Sequence, residues 1–271
     1  MPRLPRLPDL LTTANLGCGV ASILLASQGQ LTIACGLIFL AAVFDVFDGL
    51  AARALGGGTP LGAQLDSLAD MVSFGVAPAF LAAIDPPKAL QVAISAHRNY
   101  LPSSWTVFNS AADLFGKPLW IAFATALIIT IASCWRLAKF NIDIRQTSGF
   151  LGLATPANAL FWSSIGLIAN DVAVRNGPCG DSIQEHLCLF SINPSAKLVA
   201  ATLLGILMLS ELPLPSLKFK SMKWRGNEVI FLLIAIGTVL AILYGILAVP
   251  LILVLYLLSP LWGKLFPASS H

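Results

Sequence analysis

Apolar runs of membrane-spanning length recur along this 271-residue chain, and they leave few folds open. A helix of about 20 mostly apolar residues crosses the roughly 30 Å hydrocarbon core of a bilayer. Eight such spans are read at residues 9–27, 31–54, 61–84, 118–139, 154–170, 195–210, 228–247 and 249–262. Pro250 falls between the last two, so these form a terminal helical hairpin (228–262) behind six core spans. Composition agrees: 11% of residues are charged, with a mean hydropathy of +0.83, where soluble domains carry roughly 25% charged residues. That deficit excludes an ordinary cytosolic enzyme, a disordered chain and a nucleic-acid-binding protein. The expected fold class is all-α, a polytopic transmembrane helical bundle forming a single integral membrane domain over residues 1–271.

Orientation is read from the basic residues. With the N-terminus inside, 11 of the 16 Lys and Arg fall in inner segments, as the positive-inside rule asks. The N-terminus and the 53–62 turn are then expected on the cytoplasmic side of the cell (inner) membrane. Residues 1–8 carry Arg3 and Arg6 between prolines and lack a small-residue cleavage site, so they read as an interfacial anchor that stays. Residues 85–117 form an outer insertion that suits an interfacial helix. The outer loop 171–194 holds Cys179 and Cys188, a pair that an oxidising compartment permits to join but whose geometry the sequence leaves open.

Four of the 13 acids, Asp45, Asp48, Asp66 and Asp70, fall in one 26-residue window of otherwise apolar sequence. Asp45 and Asp48 are three apart on the second span, and Asp66 and Asp70 four apart on the third, so each pair shares a helical face. The intervening GGGTP, residues 56–60, is a breaker that turns the chain back. The two helices become antiparallel neighbours, and the four carboxylates converge. A charged Asp at the centre of a span costs about 2.5–3.5 kcal/mol even on the mildest scale, and the one local cation, Arg53, cannot neutralise four. Divalent cations can. Carboxylates with no His or Cys among them favour a hard ion, Mg²⁺ or Mn²⁺, over zinc. Four can hold two ions, the arrangement that clamps the oxygens of a phosphoryl transfer. Small residues around the turn leave room for a bulky ligand beside the metals, although such residues also let helices pack closely in lipid.

These residues resemble the signature of the CDP-alcohol phosphatidyltransferase family, D-x2-D-G-x2-A-R-x8-G-x3-D-x3-D, with every spacing intact. The resemblance implies a six-helix membrane core, usually dimeric, in which an alcohol takes the phosphatidyl group of a CDP-linked lipid and CMP leaves. By position, it implies that Asp45, Asp48, Asp66 and Asp70 hold two metal ions and that Asp70 is also the general base. It implies that Gly49, Ala52, Arg53 and Gly62 line the CDP-lipid pocket, with Thr59 near the phosphates and Asn15 fitting the same pocket.

Three further stretches are similar to the phosphatidylserine synthase branch. Ser67, then Ser73, Phe74, Gly75 and Ala77, Pro78, extend the third span. Arg136, Lys139, Phe140 and Asn141 precede Gly152, Leu153 and Thr155, Pro156, Ala157, departing from the branch at Ala154 and Thr155, where it usually has a proline. The stretch LMLSELPLPSLKFK, residues 207–220, is the third. The resemblance covers about residues 8–220, within which 9–210 is the catalytic core carrying the signature at 45–70. It implies transfer from CDP-diacylglycerol to L-serine in phospholipid biosynthesis, with Mg²⁺ or Mn²⁺ required. Arg136, Lys139, Asn141 and Ser73 are then candidates for the acceptor or the lipid phosphate. The same chemistry with glycerol 3-phosphate, an inositol phosphate or choline is the nearest rival; a phosphorylated acceptor would ask for more arginines than Arg53 and Arg136. An ion-coupled transporter is the rival from another class, and it gives no reason for Arg53, Gly62 or their spacing.

Overall fold

The computed structural model describes residues 6–84, 119–142, 150–175, 186–187, 190–191, 193–214 and 228–263. The expectations for residues 1–5, the 85–117 insertion, and Cys179 and Cys188 lie outside the described residues. Among the described residues, eight long helices occupy the expected positions: α1 (Leu7–Ser27), α2 (Leu31–Ala54), α3 (Pro60–Ala83), α4 (Leu119–Ile142), α5 (Thr155–Arg175), α6 (Pro194–Leu209), α7 (Glu228–Tyr244) and α8 (Ala248–Gly263). The protein is an all-α integral membrane protein. Helices α1 to α4 and the stretch Ala235–Leu258 are long and apolar enough to cross a bilayer. Helix α6 is apolar but has 16 residues. Helix α5 has 21 and runs on through Arg175, taking the first five residues of the segment expected as an outer loop.

The stretch Ala235–Leu258 is not one straight rod. The chain turns through Gly245–Leu247, and a Cβ built on Gly237 would lie 3.5 Å from Cδ1 of Ile252. Fifteen residues of continuous helix would separate that pair by about 22 Å. Helices α7 and α8 are therefore folded back on each other, the hairpin expected from Pro250, with the turn a few residues earlier.

Local chemistry sets the α1–α2–α3 unit. Helix α2 ends in a Schellman motif, with Gly57 N–H donating to the Ala52 carbonyl at 2.9 Å and Gly56 N–H to that of Arg53 at 3.4 Å. Gly56 takes a φ of +88°, the left-handed conformation in which a Cβ is penalised. Two residues on, the Thr59 hydroxyl accepts from Gly62 N–H at 2.9 Å and caps α3, and Pro60 follows where its missing N–H is harmless. One short run stops a helix and starts the next.

Helix α3 lies among α1, α4 and α5. Its path includes a π-helical stretch, Met71–Val76, just beyond Asp70. There Ser73 meets α1 so closely that a Cβ on Gly19 would come within 2.7 Å of the Ser73 Cα, the close approach that small residues permit between helices in lipid. Helix α4 packs on α3 and α6, α2 on α5, and α8 on α5. The buried side chains form one cluster around Cys35, Ile38 and Phe74, and another around Trp162, Met208 and Tyr256.

The all-α reading needs one small addition. Phe150 and Leu151 pair antiparallel with Leu214 and Pro213, clasping the entry to α5 onto the exit of α6. Gly152 follows with φ of +74°, donating to the Leu212 carbonyl at 2.9 Å. A Cβ there would stand 2.6 Å from the Ser210 carbonyl oxygen and 2.8 Å from that of Met208. Gly152→Ala combines a disfavoured backbone with overpacking against rigid carbonyls. It should lower stability by about 2–5 kcal/mol, read as an earlier midpoint of SDS-induced unfolding in mixed micelles. An unchanged midpoint would refute the clasp.

Candidate metal centre

The turn between α2 and α3 brings the two acid pairs face to face. One carboxylate oxygen from each of Asp45, Asp48 and Asp66 lies within 4.8 Å of the others, and Asp48 is only 6% exposed. That spacing is close enough for the three carboxylates to share one small cation. The donors are oxygen only, which suits Mg²⁺ or Mn²⁺. Asp70 is 8% exposed and is not one of this close trio. It is within electrostatic reach of Asp45 and Asp66, one helical turn beyond Asp66.

Helix α1 supplies the hydrogen bonds that orient these acids. Thr12 Oγ1 donates to Asp48 Oδ2 at 2.7 Å, and Asn15 Nδ2 donates to Asp70 Oδ1 at 3.0 Å. Sequence reasoning singled out Asn15 but missed Thr12 and Asp9. Their signal is the spacing: Asp9, Thr12 and Asn15 recur every three residues on a mostly apolar helix. The stripe continues to Ser22, whose hydroxyl donates to the Ala34 carbonyl at 2.7 Å.

Beside the carboxylates a cavity of about 180 Å³ opens between the ends of α1, α2 and α3. Four of the expected pocket residues, Gly49, Ala52, Thr59 and Gly62, line it together with Asp48 and Asp66. Arg6, Asp9 and Thr12 close the α1 side. Arg53 is not in the lining; it is exposed on the last turn of α2. Asn15 is not in the lining either, being fully buried against Asp70.

The expected acceptor residues separate. Ser73 is fully buried and donates to the Asn15 carbonyl at 2.9 Å, so its hydroxyl is engaged in the α1–α3 contact. Lys139 reaches out to the Leu209 carbonyl at 3.4 Å, at the end of α6. Asn141 Nδ2 donates to Ser67 Oγ at 2.8 Å, next to Asp66. Arg136 is 5% exposed and stands 5.5 Å over the Phe140 ring. Helices α3 and α4 touch at Ser67 with Asn141 and at Gly75 with Ser133. Arg136 lies between those contacts on α4, as Asp70 does on α3.

Thr12→Val removes the hydroxyl that holds Asp48 while keeping its shape. Losing an outer hydrogen bond of this kind commonly lowers metal affinity about 10- to 100-fold. A Mn²⁺ titration followed by electron paramagnetic resonance should show that loss; wild-type affinity in the variant would mean that Thr12 does not tune the acids.

The arrangement also has relatives. The sequence model of the CDP-alcohol phosphatidyltransferase family matches residues 6–167, from the start of α1 into α5. The chain is 29% identical over 261 residues to a Helicobacter pylori protein named CDP-diacylglycerol–serine O-phosphatidyltransferase, covering 96% of this chain and 91% of that one. A Bacillus subtilis protein of the same name is 29% identical over 64% of this chain and 82% of its own. An archaetidylserine synthase of Methanothermobacter thermautotrophicus is 33% identical over 58% of this chain and 56% of its own. With the family match spanning more than half of the residues, and the close trio of carboxylates lying wholly inside it, the chain belongs to the CDP-alcohol phosphatidyltransferase family.

Proposed function

We propose that the protein transfers the phosphatidyl group of CDP-diacylglycerol to the hydroxyl of L-serine, giving phosphatidylserine and CMP. The observation that carries the reading is the trio Asp45, Asp48 and Asp66, held within 4.8 Å beside a cavity with small-residue walls. The choice of serine is supported by the Helicobacter pylori relative, which matches nearly the whole of both chains and carries that activity in its name.

Asp45, Asp48, Asp66 and Asp70 are the proposed ligands of two Mg²⁺ or Mn²⁺ ions. When bound, such ions neutralise the pyrophosphate and the charge that develops on departing CMP. Asn15 occupies Oδ1 of Asp70, which leaves Oδ2 to take the proton of the serine hydroxyl. The serine oxygen bonds to the phosphatidyl phosphorus as the P–O bond to CMP breaks, and CMP leaves with the electron pair. Gly49, Ala52, Thr59 and Gly62 make the nucleotide side of the site, with Arg53 following Ala52 on the last turn of α2. Asn15 acts through Asp70, not on the nucleotide.

Arg136 is the proposed partner of the serine carboxylate. Among the described residues its buried Nε has no hydrogen-bond partner, and the same holds for Ser133 Oγ one turn before it on α4. Buried donors left unmade are costly, and an acceptor carboxylate would satisfy a guanidinium well. Asn141 is engaged with Ser67 on α3. The domain is proposed as a single unit in the cell membrane, acting as a homodimer, with the N-terminus and the site on the cytoplasmic side. Lipid tails would then enter laterally and serine from the cytoplasm.

The direct test is CMP release from CDP-diacylglycerol with a panel of alcohols, serine being the expected acceptor. Preference for another alcohol would move the assignment to a different branch of the family. Chelation should abolish CMP release, and Mg²⁺ or Mn²⁺ should restore it. Asp70→Asn should lower kcat by about 10²- to 10⁴-fold, the usual weight of a general base; normal turnover would remove Asp70 from that role. Arg136→Lys should raise the KM for serine and leave that for CDP-diacylglycerol unchanged, and the converse pattern would reassign Arg136 to the lipid.

A further inference from the structure

We propose that Asp9 reads the nucleoside end of the CDP-lipid, accepting a hydrogen bond from a ribose hydroxyl or from the cytosine amino group. The proposal rests on the phosphatidyl-transfer reading and adds to it the residue that sets nucleotide selectivity. Acids line the cavity beside the metal centre at two levels. Asp66, and Asp48 held by Thr12, belong to the close carboxylate trio. Asp9 lies one turn before Thr12 on α1 and faces Gly62, one turn before Asp66 on α3.

The two levels suit different parts of one ligand. An ionised carboxylate accepts hydrogen bonds and donates none, so Asp9 suits neutral donors, with Arg6 lining the same side of the cavity. A nucleotide with its phosphates at the trio has its nucleoside about one helical turn away, at the level of Asp9 and Gly62. Hydroxyls of ribose and the exocyclic amine of cytosine are such donors, and a carboxylate is the acceptor that fits a cytosine amine.

Geometry aims the side chain. Asp9 Oδ2 accepts the Arg6 backbone N–H at 2.9 Å, which fixes the rotamer at the start of α1. Oδ1 then points across the cavity to α3, where a Cβ on Gly62 would lie 3.2 Å from it and 3.1 Å from Thr59 Oγ1. The absence of a side chain at Gly62 keeps Oδ1 open to a ligand. The gap is bounded by Asp9, Thr59 and Gly62, with Gly57 and Gly58 on the loop beside it.

The test uses the full-length protein in mixed micelles with Mg²⁺. Dissociation constants are measured for CDP, dCDP and UDP, and KM values for the three corresponding nucleotide-diacylglycerols with serine. Asp9→Asn keeps an oxygen for the Arg6 N–H and removes the charge; Asp9→Ala removes both. Both variants should weaken CDP binding by about 10- to 100-fold, the weight of a hydrogen bond to a charged group, with the KM for serine unchanged. The wild-type preference for CDP over one analogue should collapse in both. Collapse against dCDP assigns the ribose 2′-hydroxyl, and collapse against UDP the cytosine amine. Wild-type selectivity and affinity retained in both variants would overturn the proposal. If wild-type protein binds CDP but makes no CMP with serine, the transfer reading fails and the binding constants still decide the role of Asp9. A loss of selectivity confined to Asp9→Ala, with a lowered unfolding midpoint, would reduce Asp9 to a helix cap and overturn it as well.

Discussion

Carboxylates inside an apolar bundle are the constraint to which the rest of this structure answers. Their charge is expensive in hydrocarbon, and three of them within 4.8 Å repel one another. The fold offers them two kinds of compensation. Hydroxyl and amide donors on α1 satisfy one oxygen each of Asp48 and Asp70. The remaining charge suits the divalent ions proposed above, and the same charge balance would prepare the site for a pyrophosphate.

Geometry between helices follows from that need. The Schellman turn at Gly56 and Gly57 and the Thr59 cap set α2 and α3 antiparallel with the acids facing. The contact of Gly19 with Ser73 then draws α1 against α3, close enough for Asn15 to reach Asp70. The π-helical stretch after Asp70 lies at the centre of this contact, and irregular turns of that kind are frequent at functional sites. The clasp between Phe150–Leu151 and Pro213–Leu214 fastens the second half of the bundle, where Arg136 is buried.

Most helix boundaries were legible because lipid imposes a strong rule on length and polarity. The span read at 31–54 coincides with α2, and that read at 61–84 is shifted by one residue from α3. The end of α5 was not legible. Asn170, Asp171 and Arg175 look like loop residues by polarity, yet the helix runs through them, and Asn170 donates to Thr32 Oγ1 of α2 at 2.6 Å. Thr12 and Asp9 were missed for a related reason. Single polar residues on an apolar helix are unremarkable until their three-residue spacing is set against a partner, and no partner is visible along one strand of sequence.

By itself, the sequence determined the membrane class, the eight helices and the convergence of two acid pairs, since these depend on local hydropathy, helical period and turn chemistry. The tertiary structure decided which acids form the close trio and which neighbour holds Asp70. It also left Arg53 and Asn15 out of the cavity lining, put Asp9 and Thr12 into it, and set the acceptor candidates Ser73 and Lys139 apart from each other. Such choices depend on the crossing and register of helices far apart in the chain. A side chain's spacing along its own helix says which face it shares, but only packing says what that face meets.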